Sequence, residues 1–308
     1  MNKAKELTKE EIKEVLKKWS IDAIPVSIHP RAWDINQSYI LKAYDEPDVL
    51  ERNVISMRTL LAAGVPVPEI ISLPDGKDYA EKDGGYYMLM TKLHGHAVKP
   101  YECMDNWFFH FGTILAELHI AFLKCENNLH SWDNSLLEEM NGWVKKNIAK
   151  YNIDYLNDKD VQAAVEELAS FYEDLPRQLI HRDVHLGNFL FENGEFTGYI
   201  DFDLSQKNIR IFDLCYFLLG LLLEENGFKE DDRWYEIIRQ VVSGYDRVSP
   251  LNLTEKRAFA SVMKNIELLF AAYFIDIGEA ELARNAVDLF YFVKRNERKI
   301  LTGCNAQN

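Results

Sequence analysis

A run of polar residues at fixed spacing, in segment 180–201, constrains this chain more than any other feature. Asp183 is followed five positions later by Asn188, and Asp201 comes near the end of the run. One short loop can therefore carry both a carboxylate that accepts a hydroxyl proton and an amide oxygen that binds Mg²⁺. This order predicts a loop for phosphoryl transfer.

The stretch between Asn188 and Asp201 has the pattern of a β-hairpin. Two apolar pieces, 189–191 and 196–200, flank a Glu-Asn-Gly-Glu turn, and Asn-Gly between apolar runs is a strong hairpin signal. A hairpin returns Asp201 towards the loop that carries Asn188. The Asp201 carboxylate can then join the amide oxygen of Asn188 on one hard cation, which prefers oxygen ligands in near-octahedral geometry.

The polar loop also carries a recognisable motif. Its residues spell H-x-D-x-H-x-x-N, formed by His181, Asp183, His185 and Asn188. An I-D-F-D sequence that ends at Asp203 follows it. Together they resemble the aminoglycoside phosphotransferase and choline kinase-like family, which shares the protein-kinase fold. Protein kinases continue with D-F-G instead, so Asp203 occupies their glycine position.

The resemblance implies an α+β, bilobal protein-kinase-like fold with a small β-rich N-lobe and a mostly helical C-lobe. We expect residues 1–92 to form the nucleotide-binding lobe and residues 93–308 the helical catalytic and substrate-binding lobe. Residue periodicity agrees, because alternating strand patterns before residue 92 give way to helical patterns after residue 106. With 308 residues and 47% hydrophobic content, the chain can bury cores of this size.

By resemblance, a lysine on a strand of the first lobe binds the nucleotide. Lys42 lies in an alternating strand pattern and would hold the α- and β-phosphates while paired to an acid on the next helix, 49–62. The position usual for that glutamate holds Asn53. Either Glu51, two residues earlier, reaches Lys42 from a shifted register or the pair is weakened, and we expect Glu51 to be the partner.

Two backbone segments of the first lobe would also approach the nucleotide. By resemblance, Thr91 and Leu93 lie in the hinge whose backbone hydrogen-bonds the base. The loop at 30–37 corresponds to the tip that covers the phosphates, which is commonly glycine-rich because backbone amides must come close. It contains no glycine here. Either side chains such as Arg31 replace those amides or the tip is a solvated turn.

Composition restricts the partners. A net charge of -14 and a pI of about 5.1 argue against nucleic acid and anionic membranes, which need basic surfaces. The longest apolar run, 214–223, has half of the roughly 20 residues that a membrane span needs. Four scattered cysteines and a charged N-terminus predict a reducing cytoplasm. These features leave the oligomeric state open.

Acidic residues in the second lobe favour a cationic acceptor. A cleft lined by one sign of charge concentrates the opposite sign, and aromatic rings such as Trp234 and Tyr273 can contact an ammonium group. The acids are Glu224, Glu225, Glu230, Asp231, Asp232, Glu267, Asp276, Glu279 and Glu281. They could equally be solvated residues of helix surfaces.

These expectations combine into a small-molecule kinase that uses ATP or GTP with Mg²⁺. Asp183 would orient the acceptor hydroxyl and take its proton, while Asn188 and Asp201 would hold the metal. The acceptor would be an aminoglycoside-like antibiotic or a choline-like metabolite. A pseudokinase-like binding or structural protein is the alternative, favoured by the glycine-free tip and by Asn53. A protein-serine kinase is disfavoured by Asp203 and by the lack of an A-P-E segment.

Overall fold

The computed structural model describes residues 7–99, 106–127, 133–151, 153, 155–223 and 232–305. The contacts between them divide the chain into two compact units. Unit one consists mainly of residues 7–98 and Gly187–Asp203, and unit two of residues 106–126, 133–186 and 204–305. The division predicted at residue 92 is therefore incomplete, since the segment after the polar loop belongs to unit one.

The strands fall into two stretches of the chain, residues 25–97 and residues 177–209, and the described remainder is mostly helical. The strands are β1 (Pro25–His29), β2 (Ala32–Ile35), β3 (Tyr39–Tyr44), β4 (Ala80–Lys82), β5 (Gly85–Thr91), β6 (His96–Ala97), β7 (Arg177–Ile180), β8 (Phe189–Glu192), β9 (Glu195–Tyr199) and β10 (Gln206–Ile209). The α-helices are α1 (Lys9–Leu16), α2 (Pro47–Ala62), α3 (Trp107–Glu126), α4 (Leu136–Glu139), α5 (Lys145–Tyr151), α6 (Asp158–Tyr172), α7 (Ile211–Gly220), α8 (Arg233–Val248), α9 (Leu253–Asp276) and α10 (Ala280–Asn305). This content confirms the predicted α+β class.

Unit one is organised by a five-stranded antiparallel sheet of order β1-β2-β3-β5-β4. Helix α1 begins with the capping box expected from its sequence, in which Thr8 and Glu11 satisfy each other's backbone amides at 3.3 and 2.8 Å. Its apolar side chains pack into one core cluster with Trp33 and Leu41 of the sheet. Because side chains alternate along a strand, Lys42 points to the opposite face from Leu41.

A second, three-stranded sheet ties segment 187–203 to unit one. Its order is β6-β8-β9, and Asn193 and Gly194 form the turn between β8 and β9 at φ values of 53° and 84°. This confirms the predicted Asn-Gly hairpin. Gly198 permits a close approach in β9, because a side chain there would collide with Leu93 and with the backbone of Pro66.

Unit two is mostly helical. Helix α9 is buried along most of its length and packs against α5, α6, α7 and α10. Helices α3 and α8 cross at Gly244, where an added Cβ would lie 1.9 Å from the carbonyl oxygen of Phe109. The short pair β7 and β10 flanks the polar loop on either side in sequence. This pairing places the start of the loop, at His181, next to the helical core.

One element prediction needs correction. Segment 30–37 is not one loop, since β2 lies within it between two short turns. Residues 68–73 form no regular strand, but the amide of Ile71 donates a hydrogen bond to Leu89 of β5 at 2.9 Å. Helix α9 begins with a capping box formed by Asn252 and Glu255.

By length and composition alone, α3 and α9 could each span a membrane. The core helices of globular proteins pass the same test, and 56% and 78% of the two apolar windows are buried inside the structure. This likeness is therefore weak evidence for a membrane segment.

Candidate active site

Lys42 of unit one lies between two carboxylates. Its Nζ is 2.8 Å from Oδ1 of Asp201 and 2.8 Å from Oδ2 of Asp203. Burial alone would lower the pKa of the Lys42 ammonium, but the charges of Asp203 and Asp201 outweigh that effect and raise the pKa. Lys42 is therefore a fixed positive charge, next to one of the predicted metal ligands.

The ion pair expected between Lys42 and Glu51 is absent. Glu51 is exposed on α2, where its carboxylate accepts a hydrogen bond of 3.5 Å from the hydroxyl of Tyr79. Asn53 faces the lysine site instead, and its Nδ2 donates to Oδ1 of Asp203 at 2.9 Å. The predicted role of Glu51 at the nucleotide is wrong in this respect.

The predicted metal ligands Asn188 and Asp201 are joined through the backbone. The amide of Ile200, the residue before Asp201, donates to the carbonyl oxygen of Asn188 at 3.0 Å. Asn188 is buried, whereas the Asp201 side chain is 43% exposed and its backbone has a φ of 66°. A non-glycine residue in the left-handed region carries strain, which often marks a functional position.

The donor set fits Mg²⁺. The described residues contain no group of three or more His, Cys, Asp or Glu side chains that could enclose a metal by themselves. Mg²⁺ at kinase sites needs no such enclosure, because one or two protein oxygens suffice when phosphate oxygens and waters complete an octahedron. Asp201 and Asn188 provide such oxygens.

The face of the sheet that carries Lys42 is otherwise mainly apolar. Strand register places Lys42 opposite Met88, and Ile40 opposite Met90. Val26 of β1 lies on the same face and is 59% exposed. Met88 and Met90 are buried beneath this face, whereas Val26 is open to solvent.

In unit two, the backbone of the polar loop is fixed by a buried acid. Asp213 of α7 is fully buried and accepts hydrogen bonds from the backbone amides of His181 and Arg182, both at 2.8 Å. It also meets Nε2 of His119 at 2.9 Å, while Nδ1 of that ring meets the Tyr245 hydroxyl at 2.8 Å. Asp213 therefore braces the loop, and His119 belongs to the same buried network.

Arg182 supports the loop from its other side. Its guanidinium bonds both carboxylate oxygens of Glu139 at 2.9 Å, and its backbone has a φ of 65°. Arg182 therefore holds a strained conformation immediately before Asp183. The carboxylate of Asp183, which follows Arg182, keeps 24% of its side-chain surface exposed.

Asp183 is prepared to act as an ionised acceptor. Burial would raise the pKa of its carboxyl group, but His185, His181 and the Tyr216 hydroxyl outweigh burial and lower the pKa. The Tyr216 hydroxyl donates to Oδ1 at 3.0 Å, and His185 lies 3.6 Å from Oδ2. Burial and the charge of Asp183 raise the pKa of Tyr216, so its phenol stays a donor.

Comparison with known proteins identifies the family. A model of the phosphotransferase enzyme family, APH, matches residues 21–251. The chain belongs to this family. The match includes the strand of Lys42, the Asp183 loop and α7, and it confirms the predicted class of protein.

Similar proteins within and around this APH family are kinases of small molecules. Homoserine kinase of Polaromonas naphthalenivorans (strain CJ2) is 26% identical over 225 residues, or 68% of this chain, and the chain spans 65% of that relative. Amicoumacin kinase in complex with AMP-PNP and Ca²⁺ superposes with a TM-score of 0.66 at 18% identity, covering 86% of this chain and 84% of that one. The GDP complex of aminoglycoside 2′-phosphotransferase-IIIa gives 0.67 at 16% identity, covering 94% and 100%. The two structures confirm the kinase-like fold.

The predicted hinge of this APH-family chain provides one backbone donor, not two. The amide of Thr91 already donates to the carbonyl oxygen of Glu69 at 2.9 Å. Among the described residues, the amide of Leu93 has no acceptor. At the tip between β1 and β2, the Arg31 guanidinium is bound by Asp45. Arg31 therefore does not point a free charge at the phosphates.

Aromatic rings and one buried acid surround the exposed side of Tyr216. Its ring lies 5.7 Å from Phe270, which stacks on Phe274 at 5.7 Å. Glu267 of α9 is 4% exposed, and its charge contributes to the raised pKa of Tyr216 after burial and Asp183. Sequence reasoning missed Tyr216, although its position three residues after Asp213 places both on one face of α7.

Two other described members of the predicted acidic set are bound to partners on the surface. Glu224, Glu225, Glu230 and Asp231 are outside the described residues. Asp276 is bound by Tyr151 at 2.6 Å on the surface, and Asp232 by Lys299 at 3.0 Å. Glu267 is therefore the member of the set whose position supports the prediction of a cationic acceptor.

Proposed function

We propose that this protein transfers the γ-phosphate of ATP or GTP to a hydroxyl group of a small molecule that also carries an ammonium group. The observation that carries the proposal is the state of Asp183, an ionised carboxylate on a loop that Asp213 and Arg182 hold in place. Membership of the APH family supports the reaction class. The names of the relatives support an amine-bearing acceptor, because homoserine and aminoglycosides both combine amino and hydroxyl groups.

In this proposal Asp183 accepts a hydrogen bond from the acceptor hydroxyl and takes its proton as the new oxygen–phosphorus bond forms. Because its pKa is lowered, Asp183 is a weak base, and the proton moves late in the step. Tyr216 keeps the carboxylate oriented through its hydrogen bond. Lys42 binds the phosphate oxygens that are not transferred.

Asn188 and Asp201 are the residues that would hold Mg²⁺ in this reaction. Magnesium, when bound, offsets the negative charge that develops on the triphosphate. Asp201 is the more adaptable of the two ligands, because its side chain is 43% exposed and, among the described residues, its carboxylate is bonded to Lys42 alone.

The acceptor ammonium is proposed to lie near Glu267 and the Tyr216 and Phe270 rings. A carboxylate that is 4% exposed attracts a cation more strongly than a solvated one, since less water screens it. Aromatic faces add about 0.5 to 2 kcal/mol of cation–π attraction. Both contributions come from unit two, the same unit that carries Asp183.

The test uses matched pairs of alcohols with and without the amino group. Purified protein is incubated with Mg²⁺, ATP or GTP, and homoserine, 1-amino-2-propanol, choline or kanamycin, and nucleoside diphosphate release and ³¹P spectra are recorded. Asp183→Asn is the control for catalysis. Transfer to amino alcohols but not to their deaminated counterparts is expected. No transfer to any amino alcohol, or equal transfer to both members of a pair, contradicts the proposal.

A protein that binds nucleotide without transferring phosphate is the second candidate. Two observations favour it: Asn53 stands at the helix position expected for glutamate, and Arg31 is engaged by Asp45. Under this candidate the wild type binds Mg²⁺ and nucleotide calorimetrically but releases no diphosphate with any alcohol.

A further inference from the structure

We infer that Asp203 is the lasting counter-ion of Lys42, positioned by Asn53 and Tyr44 in place of a glutamate on α2. The inference deepens the proposed nucleotide site and rests on that proposal only for the role of Lys42 at the phosphates. Asp203 is thereby a positioning residue that holds the Lys42 ammonium in place. Of the two acids, only Asp201 can then exchange Lys42 for a metal ion.

The two carboxylates around Lys42 are held very differently. Oδ2 of Asp203 faces Lys42, while its Oδ1 accepts from Asn53 at 2.9 Å and from the Tyr44 hydroxyl at 3.3 Å. Among the described residues, the Asp201 carboxylate accepts a single hydrogen bond, from Lys42 at 2.8 Å. A carboxylate with donors on both oxygens resists reorientation, whereas one with a single partner can turn away.

Asn53 is itself fixed. Its Nδ2 carries two hydrogens, of which one reaches Asp203 and the other the carbonyl oxygen of Val49 at 3.1 Å. Asn53 is 2% exposed, so the amide cannot fall back on water if the contact with Asp203 is lost. Helix α2 is therefore bonded to the loop after β9 at this point.

Lys42 needs a counter-ion that stays. Its side chain is 16% exposed, and a buried ammonium without a partner is strongly unfavourable. Once Asp201 coordinates a metal, its contact with Lys42 weakens. Glu51 does not replace it, because that carboxylate is exposed and bonded to Tyr79. Among the described acids, Asp203 is therefore the one whose other contacts would hold it beside Lys42 if Asp201 bound a metal.

The first test needs no ligand. Urea unfolding is measured for the wild type, Lys42→Met, Asp203→Asn and the double variant. If the two side chains are partners, Asp203→Asn changes the unfolding constant at least about fivefold more in the wild type than in the Lys42→Met background. If the effect of the double variant on the unfolding constant equals the product of the two single effects to within about twofold, the inference is overturned, whether or not the protein binds nucleotide.

The second test moves the carboxylate from the loop to the helix. Asp203→Asn is expected to weaken binding of a nonhydrolysable ATP or GTP analogue, at saturating Mg²⁺, by about 10- to 100-fold. Adding Asn53→Glu to that variant returns a carboxylate to within reach of Lys42, since Asn53 already lies 2.9 Å from Asp203. We expect the double variant to recover to within about threefold of the wild type.

A control variant removes a different carboxylate of unit one. Asp78 binds Ser72 at 3.0 Å and also Arg58, and Asp78→Asn is expected to leave nucleotide affinity unchanged. If the double variant with Asp203→Asn and Asn53→Glu binds the nucleotide analogue no more tightly than Asp203→Asn alone, the inference is overturned. The inference would also be overturned if higher Mg²⁺ concentrations restored the nucleotide affinity of Asp203→Asn to that of the wild type, since Asp203 would then be a metal ligand. If the wild type binds no nucleotide, the proposed function fails. The urea-unfolding comparison, which needs no ligand, still decides whether Lys42 and Asp203 are partners.

Discussion

Asp213→Asn should both destabilise unit two and slow phosphate transfer. The Asp213 carboxylate accepts three hydrogen bonds, with Oδ2 shared by His181 and His119 and Oδ1 used by Arg182. An asparagine offers one acceptor oxygen and one NH₂ group. If its oxygen takes the Oδ2 position, its NH₂ faces the amide of Arg182, and that backbone donor is left unpaired.

The expected size follows from these contacts. One unsatisfied buried amide costs about 1 to 3 kcal/mol, and two charge-assisted hydrogen bonds that become neutral lose about 1 kcal/mol each. Removing a buried charge recovers part of its desolvation free energy. We therefore expect a net loss of about 2 to 3 kcal/mol in the free energy of unfolding, a large share of the 5 to 15 kcal/mol that is typical of proteins.

Urea unfolding and steady-state kinetics measure the two effects. The midpoint shift multiplied by the m-value gives the stability change. Because the Asp183 loop loses an anchor, kcat should fall by about 10- to 100-fold, as a displacement of the order of 1 Å can cause. Asp276→Asn, which removes an exposed acid from α9, should change neither quantity. A stability change below about 0.5 kcal/mol with unchanged kcat would refute the bracing role.

Further predictions concern the proposed reaction. Asp183→Asn should lower kcat by about 10² to 10⁴ with nucleotide affinity unchanged, as measured by coupled assay and calorimetry; near wild-type turnover would contradict the assignment. Asp201→Ala should abolish the Mg²⁺ dependence of nucleotide binding, and equal dependence in both proteins would contradict it. The pKa of Asp183 is lowered, so its carboxylate is ionised at and above the ordinary carboxyl pKa and becomes protonated only as pH falls through the lowered pKa. The profile of kcat/KM against pH should therefore show no acid limb from Asp183 between pH 5 and 8, within the usual range for assays. Rising ionic strength should raise KM for an ammonium-bearing acceptor, and an unchanged KM would argue against a role for Glu267.

Local signals in the sequence predicted the polar loop well. Asn193 and Gly194 adopt positive φ values that favour these residue types, so the hairpin could be read without knowledge of the rest of the fold. The order of Asp183 and Asn188 fixes their separation along one loop. Asp213 could be expected as a brace because it opens an apolar helix directly after the loop. Each of these inferences spans few residues and needs no tertiary register.

The partners of Lys42 could not be predicted, because they depend on how α2 is rotated against the sheet. Glu51 and Asn53 are two residues apart, which is about 200° around a helix, so only one of them can face Lys42. The sequence names both positions but not the rotation. Asn53 faces inward and Glu51 meets Tyr79. The acid that Lys42 lacks on the helix is supplied by Asp203, from a loop that is distant in sequence.

In each unit, the proposed site contains a less exposed acid and a more exposed one. In unit two, buried Asp213 is bonded on both oxygens, and Asp183 keeps 24% of its side chain exposed. In unit one, Asp203 is bonded on both oxygens, and Asp201 is 43% exposed. A carboxylate that must exchange a proton or a metal cannot also be a rigid support, because each exchange would break the contacts that hold it. Stability should therefore fall more for Asp213→Asn and Asp203→Asn than for Asp183→Asn and Asp201→Asn, as urea midpoints can measure. The reverse order in either unit would show that the exposed acid is the structural one.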